Sequence, residues 1–121
     1  MRDKVNLTEA LTRFSELWSP KIVGALNGQH VKLAKLSGEF VWHHHAHQDE
    51  LFLVLHGCLR LDMRDGVVEL RAGELFIVPR GVEHRPVAAE ETHVLLFEPA
   101  GTLNTGNVDD FRTVREPSWL D

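Results

Sequence analysis

The chain has 121 residues, of which 43% are hydrophobic and 26% charged, with a formal net charge of −5 at neutral pH. This is the size of one ordinary domain with a single core, and its acidic balance argues against nucleic acid, whose phosphates need a clustered basic surface. The longest strongly apolar run, residues 51–55, is far short of the roughly 20 residues that span a bilayer.

The first residues lead into no apolar leader, and Cys58 is the only cysteine, which excludes an internal disulfide. Both features predict a soluble protein of the reducing cytoplasm. Asn6-Leu7-Thr8-Glu9 reads as a helix start, with Asn6 as cap and Glu9 completing a capping box. Leu7, Ala10, Leu11, Phe14, Leu17 and Trp18 follow at helical spacing, which predicts an amphipathic helix over residues 6–18, ended by Ser19-Pro20. So short a helix needs a surface to dock on.

After Lys21 the period becomes two. Val31, Leu33 and, less regularly, Leu36 alternate with His30, Lys32 and Lys35, as on a strand. Residues 39–43, 51–55, 59–64, 67–70, 75–78 and 92–97 predict further strands, with turns at Asp65-Gly66 and Ala72-Gly73. Short strands with frequent turns predict an all-β sandwich or barrel over about residues 28–98. Residues 99–121 predict loop, with Trp119 as an anchor to the body. Residues 51–55 are apolar on both faces, so Leu51, Leu53 and Leu55 need cover from the helix, a second sheet or a second copy. A homodimer is expected.

The chemistry gathers in two stretches. His43 and His45 project to one side of an extended segment and His44 to the other. Glu50 opens the next strand and returns to the same interior if the two strands pair. His84 follows the turn at Pro79-Arg80-Gly81. Three imidazoles and a carboxylate suit iron, manganese, zinc, nickel, cobalt or copper as a divalent ion.

These spacings resemble the two motifs of the cupin family. Gly38, His43, His45, Glu50 and Gly57 match the first, with four residues between His45 and Glu50 and a glycine-to-histidine gap of four, one shorter than usual. Gly73, Pro79, Gly81 and His84 match the second, although its trailing asparagine falls at Ala88. The resemblance covers about residues 31–97. It implies a jelly-roll β-barrel of the RmlC-like kind, with His43, His45, Glu50 and His84 as metal ligands, as in the small single-domain cupins called mannose-6-phosphate isomerase-like. His45 and His47 form a second His-x-His pair, but Glu50 then follows too soon for the motif. His47 is thus placed at the rim or in solvent. His56 reads as a turn residue, His30 and His93 as strand residues, and Cys58 as a small packing residue. Arg80 and Arg85 could meet an anion or be ordinary solvated charges.

The expected function is binding, and possible transformation, of a small polar or anionic molecule at the metal, by dioxygenase- or isomerase-type chemistry. The rival is a non-catalytic module: a metal-dependent ligand sensor, or a barrel whose metal only supports the fold.

Overall fold

The computed structural model of the chain describes residues 3–120. Asn6 caps a helix as expected, its side-chain oxygen accepting from the Glu9 amide at 3.0 Å. That helix is short: α1 covers Leu7–Ala10, a single 3-10 turn follows at Leu11–Arg13, and Phe14 is already extended with φ −149°. The expected helix over 6–18 is therefore corrected at its C-terminal half, for a tertiary reason. The Phe14 carbonyl accepts from Lys35 Nζ at 2.7 Å, and the Trp18 amide donates to the Lys35 carbonyl at 2.8 Å. The chain exchanges helical hydrogen bonds for pairing with a strand. Leu7, Ala10, Leu11 and Phe14 still dock as one apolar surface, on Leu33, Leu55 and Leu95.

Seven strands follow: β1 (Lys21–Leu26), β2 (Gln29–Glu39), β3 (Glu50–His56), β4 (Cys58–Met63), β5 (Gly66–Arg71), β6 (Leu75–Val78) and β7 (His84–Pro99). All their pairings are antiparallel. The path β1-β2-β7-β3-β6 forms one face, and β4 joins β5 to β7 on the other. β7 is the strand that joins the two faces, pairing with β2, β3 and β4. Its first residues pair with β4, His84 opposite Met63, while further along Leu96 lies opposite both Lys32 of β2 and Phe52 of β3. The turn at 64–65 is a two-residue loop with Gly66 already paired to Met63. Ala34, Phe52, Val54, Leu59, Leu61 and Leu70 fill the interior between the faces. The result is the all-β jelly-roll architecture that the sequence implied, built mainly of strand with one short helix.

The alternation in β2 is kept, but its polar face is not a solvent face. Lys32 is only 1% exposed and shares its side of the strand with the core residues Ala34 and Leu36. Leu33 instead meets the N-terminal segment. Both sides have cover because α1 shields Leu33 and because Lys32 finds Glu98 at 3.0 Å. The outer face is less well covered near the edge strand β6, where Leu75 and Ile77 are 55% and 50% exposed beside half-buried Leu53 and Leu51.

Residues 100–120 form turns and irregular chain. Their far end is held by backbone: the Ile22 amide donates to the Ser118 carbonyl and the Leu120 amide to the Ile22 carbonyl, both at 2.9 Å. The anchor lies at Trp119 as expected, but through the main chain, since the side chain is half exposed. No helix among the described residues is long and apolar enough to cross a membrane.

Candidate metal centre

The segment that carries His43 and His45 lies between β2 and β3 and is held by neighbours on its flanks. His43 and His84 exchange backbone hydrogen bonds at 3.0 and 2.9 Å, so the first histidine and the head of β7 arrive together. The His45 carbonyl accepts from the Gly81 amide at 2.7 Å. Asp49 accepts from the Arg80 amide at 2.8 Å and from its guanidinium at 3.2 and 3.3 Å. The turn at 79–81 thus braces the histidine loop, and Gly81, at φ +80°, supplies the left-handed conformation the turn needs. Glu50 does not reach the interior by pairing with the histidine segment, as expected from the sequence. Its strand β3 pairs with β6 and β7, with Glu50 opposite Val78. β7 is what relates the pieces, because it contacts β3 along its body and His43 at its head.

The four side chains singled out by spacing are all buried, and their ligand atoms lie within 4.8 Å of one another. His43 Nδ1 is 2.9 Å from the Val41 carbonyl and His84 Nδ1 is 3.0 Å from the Val82 carbonyl. A carbonyl only accepts, so both Nδ1 atoms carry the proton and both Nε2 atoms are left as lone pairs. Glu50 Oε1 lies 3.4 Å from His45 Nε2 and 3.5 Å from His84 Nε2. These three atoms are buried without a hydrogen-bond partner. Orphaned polar tips that face one another cost free energy unless something satisfies them together, and a divalent cation does so for this donor set.

Electrostatics point the same way. Burial, with His84 as a further neighbour, lowers the His43 pKa to about 4, so the ring is neutral as a ligand must be. Burial pushes Glu50 up, but the close approach of the His45 and His84 imidazoles outweighs it and holds the carboxyl well below its usual range. Two groups escaped the sequence reading. Leu51 pairs with Phe97, so the next rung sets Glu98 opposite Glu50 with both side chains buried. Burial and the Glu50 charge raise the Glu98 pKa, against the pull of Lys32.

Beside His43 and Glu50 lies a chamber of about 30 Å³, walled chiefly by Trp18, Leu36, Phe40, Phe52 and Leu96. Trp18 stacks on Phe40 with ring centroids 4.5 Å apart. Asn104 is the one further side chain with an amide or charge in this lining. A second depression of about 230 Å³ leads to His45 between His44 and His47 on one side and Leu103 and Asn107 on the other. His47 is exposed there and is not among the four converging groups. Arg80 pairs with Asp49, and Arg85 with Asp62 and Glu39, so both are committed to structural partners. His30 and His93 are half-buried strand residues and His56 ends β3 at the surface. Cys58 is free and exposed, not a packing residue.

Known proteins share this architecture. The family model described as Cupin domain matches residues 29–98, a stretch that includes all four converging side chains. A crystal structure of a cupin-2 domain containing protein from Shewanella frigidimarina NCIMB 400 is 42% identical with a TM-score of 0.78, covering 78% of this chain and 93% of that one. Protein NMB1881 from Neisseria meningitidis is 31% identical with a TM-score of 0.74, covering 81% of this chain and 100% of that one. YdbB of Bacillus subtilis (strain 168) is 41% identical over 64 residues, which is 52% of this chain and 57% of YdbB, so the match spans little more than half of that relative.

Proposed function

The chain belongs to the cupin family, and from that premise we propose that it is a metal-dependent enzyme acting on a small oxygen-bearing compound. His43, His45, Glu50 and His84 would hold one divalent ion, with iron or manganese the preferred candidates. The observation that carries the reading is the convergence of His45 Nε2, His84 Nε2 and Glu50 Oε1, buried and otherwise without partners. When bound, such an ion supplies Lewis-acid activation of an oxygen ligand and, as iron or manganese, redox chemistry with dioxygen.

The chain's own groups prepare that site. The carbonyls of Val41 and Val82 fix the tautomers of His43 and His84, keeping Nε2 forward. Glu50 supplies one negative charge, which leaves about one net positive charge at a divalent centre by formal counting. Trp18, Leu36, Phe40, Phe52 and Leu96 exclude water from the space beside it. A compound with an oxygen-bearing head and an apolar body fits this lining better than a wholly polar one. At about 30 Å³ the chamber takes a group the size of one or two waters, so it receives a very small compound or only one end of a larger one.

The lining also separates the two reaction types. Isomerisation needs a group that takes and returns a proton. Apart from His43 and Glu50, which are committed to the ion, the chamber offers only the amide of Asn104. Dioxygenation makes no such demand, and it is the reaction we favour. Iron-loaded protein is expected to consume oxygen with small catechols or 1,3-diketones, and His84→Ala to lose that consumption. A fully iron-loaded protein that leaves oxygen untouched, yet exchanges the α-proton of a small carbonyl compound, would overturn the choice. A second copy of the chain is the proposed cover for Leu51, Leu53, Leu75 and Ile77, and the exposed thiol of Cys58 fits a reducing cytoplasm.

A further inference from the structure

We propose that the segment after the barrel is a working part of the metal centre: Gly106 and Asn107 clamp the backbone of His44 and so hold His43 and His45 in position for the ion. The inference rests on the metal reading above and assigns positioning residues to it.

One residue engages both backbone groups of His44. The Asn107 amide donates to the His44 carbonyl at 3.1 Å, and the His44 amide donates to Asn107 Oδ1 at 2.9 Å. The neighbours of His44 on either side are two of the four converging side chains, so a shift of its peptide planes moves both. Gly106 brings the clamp close. A Cβ at this position would overlap the His44 carbonyl oxygen and sit 3.0 Å from His43 Cδ2, and its φ of +57° disfavours a side chain independently. The glycine lets the main chain lie directly against a ligand ring.

The clamp is itself anchored. The Gly106 amide donates to the Leu103 carbonyl at 3.0 Å, and Thr105, fully buried, meets the Thr113 hydroxyl at 2.7 Å. Asn104 accepts from the Val114 amide at 2.8 Å and donates to the Arg112 carbonyl at 2.9 Å, while the Arg112 guanidinium reaches the Glu39 carbonyl at 2.8 Å, back on β2. Apart from Glu39, these residues lie outside the 29–98 stretch that the family model matches, so the brace is built by chain beyond the shared barrel. His43 to Asp49 has no continuous strand partner. It is held from one side by His84 and Gly81 and from the other by Asn107.

Cobalt(II) is the probe, read by its visible absorption and by its rate of release into excess EDTA. Asn107→Ala is expected to alter the absorption and release cobalt at least about tenfold faster, the scale on which groups behind metal ligands act. Asn107→Asp, which keeps an acceptor for the His44 amide, should release it no faster than the wild type. Leu70→Ala, a core truncation in β5, serves as a control for lost stability and should release at the wild-type rate. Release from Asn107→Ala at the wild-type rate, or equal acceleration in Leu70→Ala, would overturn the clamp. Should Asn107→Ala not fold, the unaltered protein supplies the test instead. Coupling is reciprocal, so cobalt must slow amide hydrogen exchange across residues 101–107, and unchanged exchange would overturn the inference. A wild-type protein that takes up no cobalt would overturn the metal reading itself, whereas the other failures leave that reading standing.

Discussion

Lys32 and Glu98 set an ion pair inside the barrel, 3.0 Å apart and each with 2% of its side chain exposed. Removing both charges from water costs several kcal/mol, and breaking such a pair is worse than never having it. Lys32→Met should therefore destabilise the protein by about 3 kcal/mol, the low end of the usual range because Glu98 can take up a proton. Lys32→Met combined with Glu98→Leu should recover most of that loss. Urea unfolding checks both, and a double variant no better than the single one would contradict the argument. His43 gives a pH prediction with a definite sign. In the metal-free protein its native pKa is about 4 and its unfolded value about 6.5. Between these the unfolded chain binds a proton that the native chain refuses. The His43 contribution is complete above pH 6.5 and is lost as the pH falls towards 4, up to about 3 kcal/mol. Glu98, pushed upward, works in the opposite sense, so the His43 share is read as the difference between wild type and His43→Asn in denaturant midpoints at pH 7 and pH 5. Equal pH slopes would contradict it. The four converging residues were legible in the sequence because their spacing is dictated by a short loop and a tight turn. Lys32, Glu98 and Asn107 were not, because each acquires its role from a partner 63 to 66 positions away that only the strand order brings near.

At the scale of elements, the N-terminal segment shows how one apolar stripe can serve two surfaces. The spacing of Leu7, Ala10, Leu11 and Phe14 is helical and their docking face was legible. The stop after Arg13 was not, since it depends on Lys35 and on pairing with β2. Trp18 leaves the stripe altogether. At φ +58° it turns inward, donates Nε1–H to the Ser37 carbonyl at 2.9 Å and stacks on Phe40 beside the chamber. Trp18→Ala should cost about 3–5 kcal/mol in urea unfolding, as for other buried aromatic truncations, and should enlarge the chamber next to Glu50. A cost below about 1 kcal/mol would show that the stack bears little of the fold's stability. The last strand illustrates the opposite case. Residues 92–97 were read as strand from their composition, but β7 starts at His84 and runs through Pro86 and Ala88-Ala89-Glu90-Glu91. Residues of that kind have low strand propensity. Residues 84–87 are extended because β4 pairs with them, Val87 and Ala88 also pair with the end of β2, and residues 89–91 cross the register shift between Leu36 and Gly38.

For the whole molecule, the barrel leaves an apolar area on its outer face, where Leu53 pairs with Leu75 and Leu51 with Ile77. The double-sided apolar character of β3 announced this face, and α1 covers only the end near Leu55. Multi-angle light scattering is expected to give a dimer mass for the wild type and a monomer mass for Ile77→Lys, and a concentration-independent monomer for the wild type would contradict the dimer. The strand order has a second consequence: it brings His84, distant in sequence, to His43, His45 and Glu50 around one point. The most direct test of that point is elemental analysis of untagged protein purified without added metal and again after incubation with excess ferrous or manganous ion, beside a His84→Ala variant with unchanged circular dichroism. The account predicts close to one metal per chain in the wild type and a small fraction of that in the variant. A folded wild-type protein that holds no metal under either condition would contradict it.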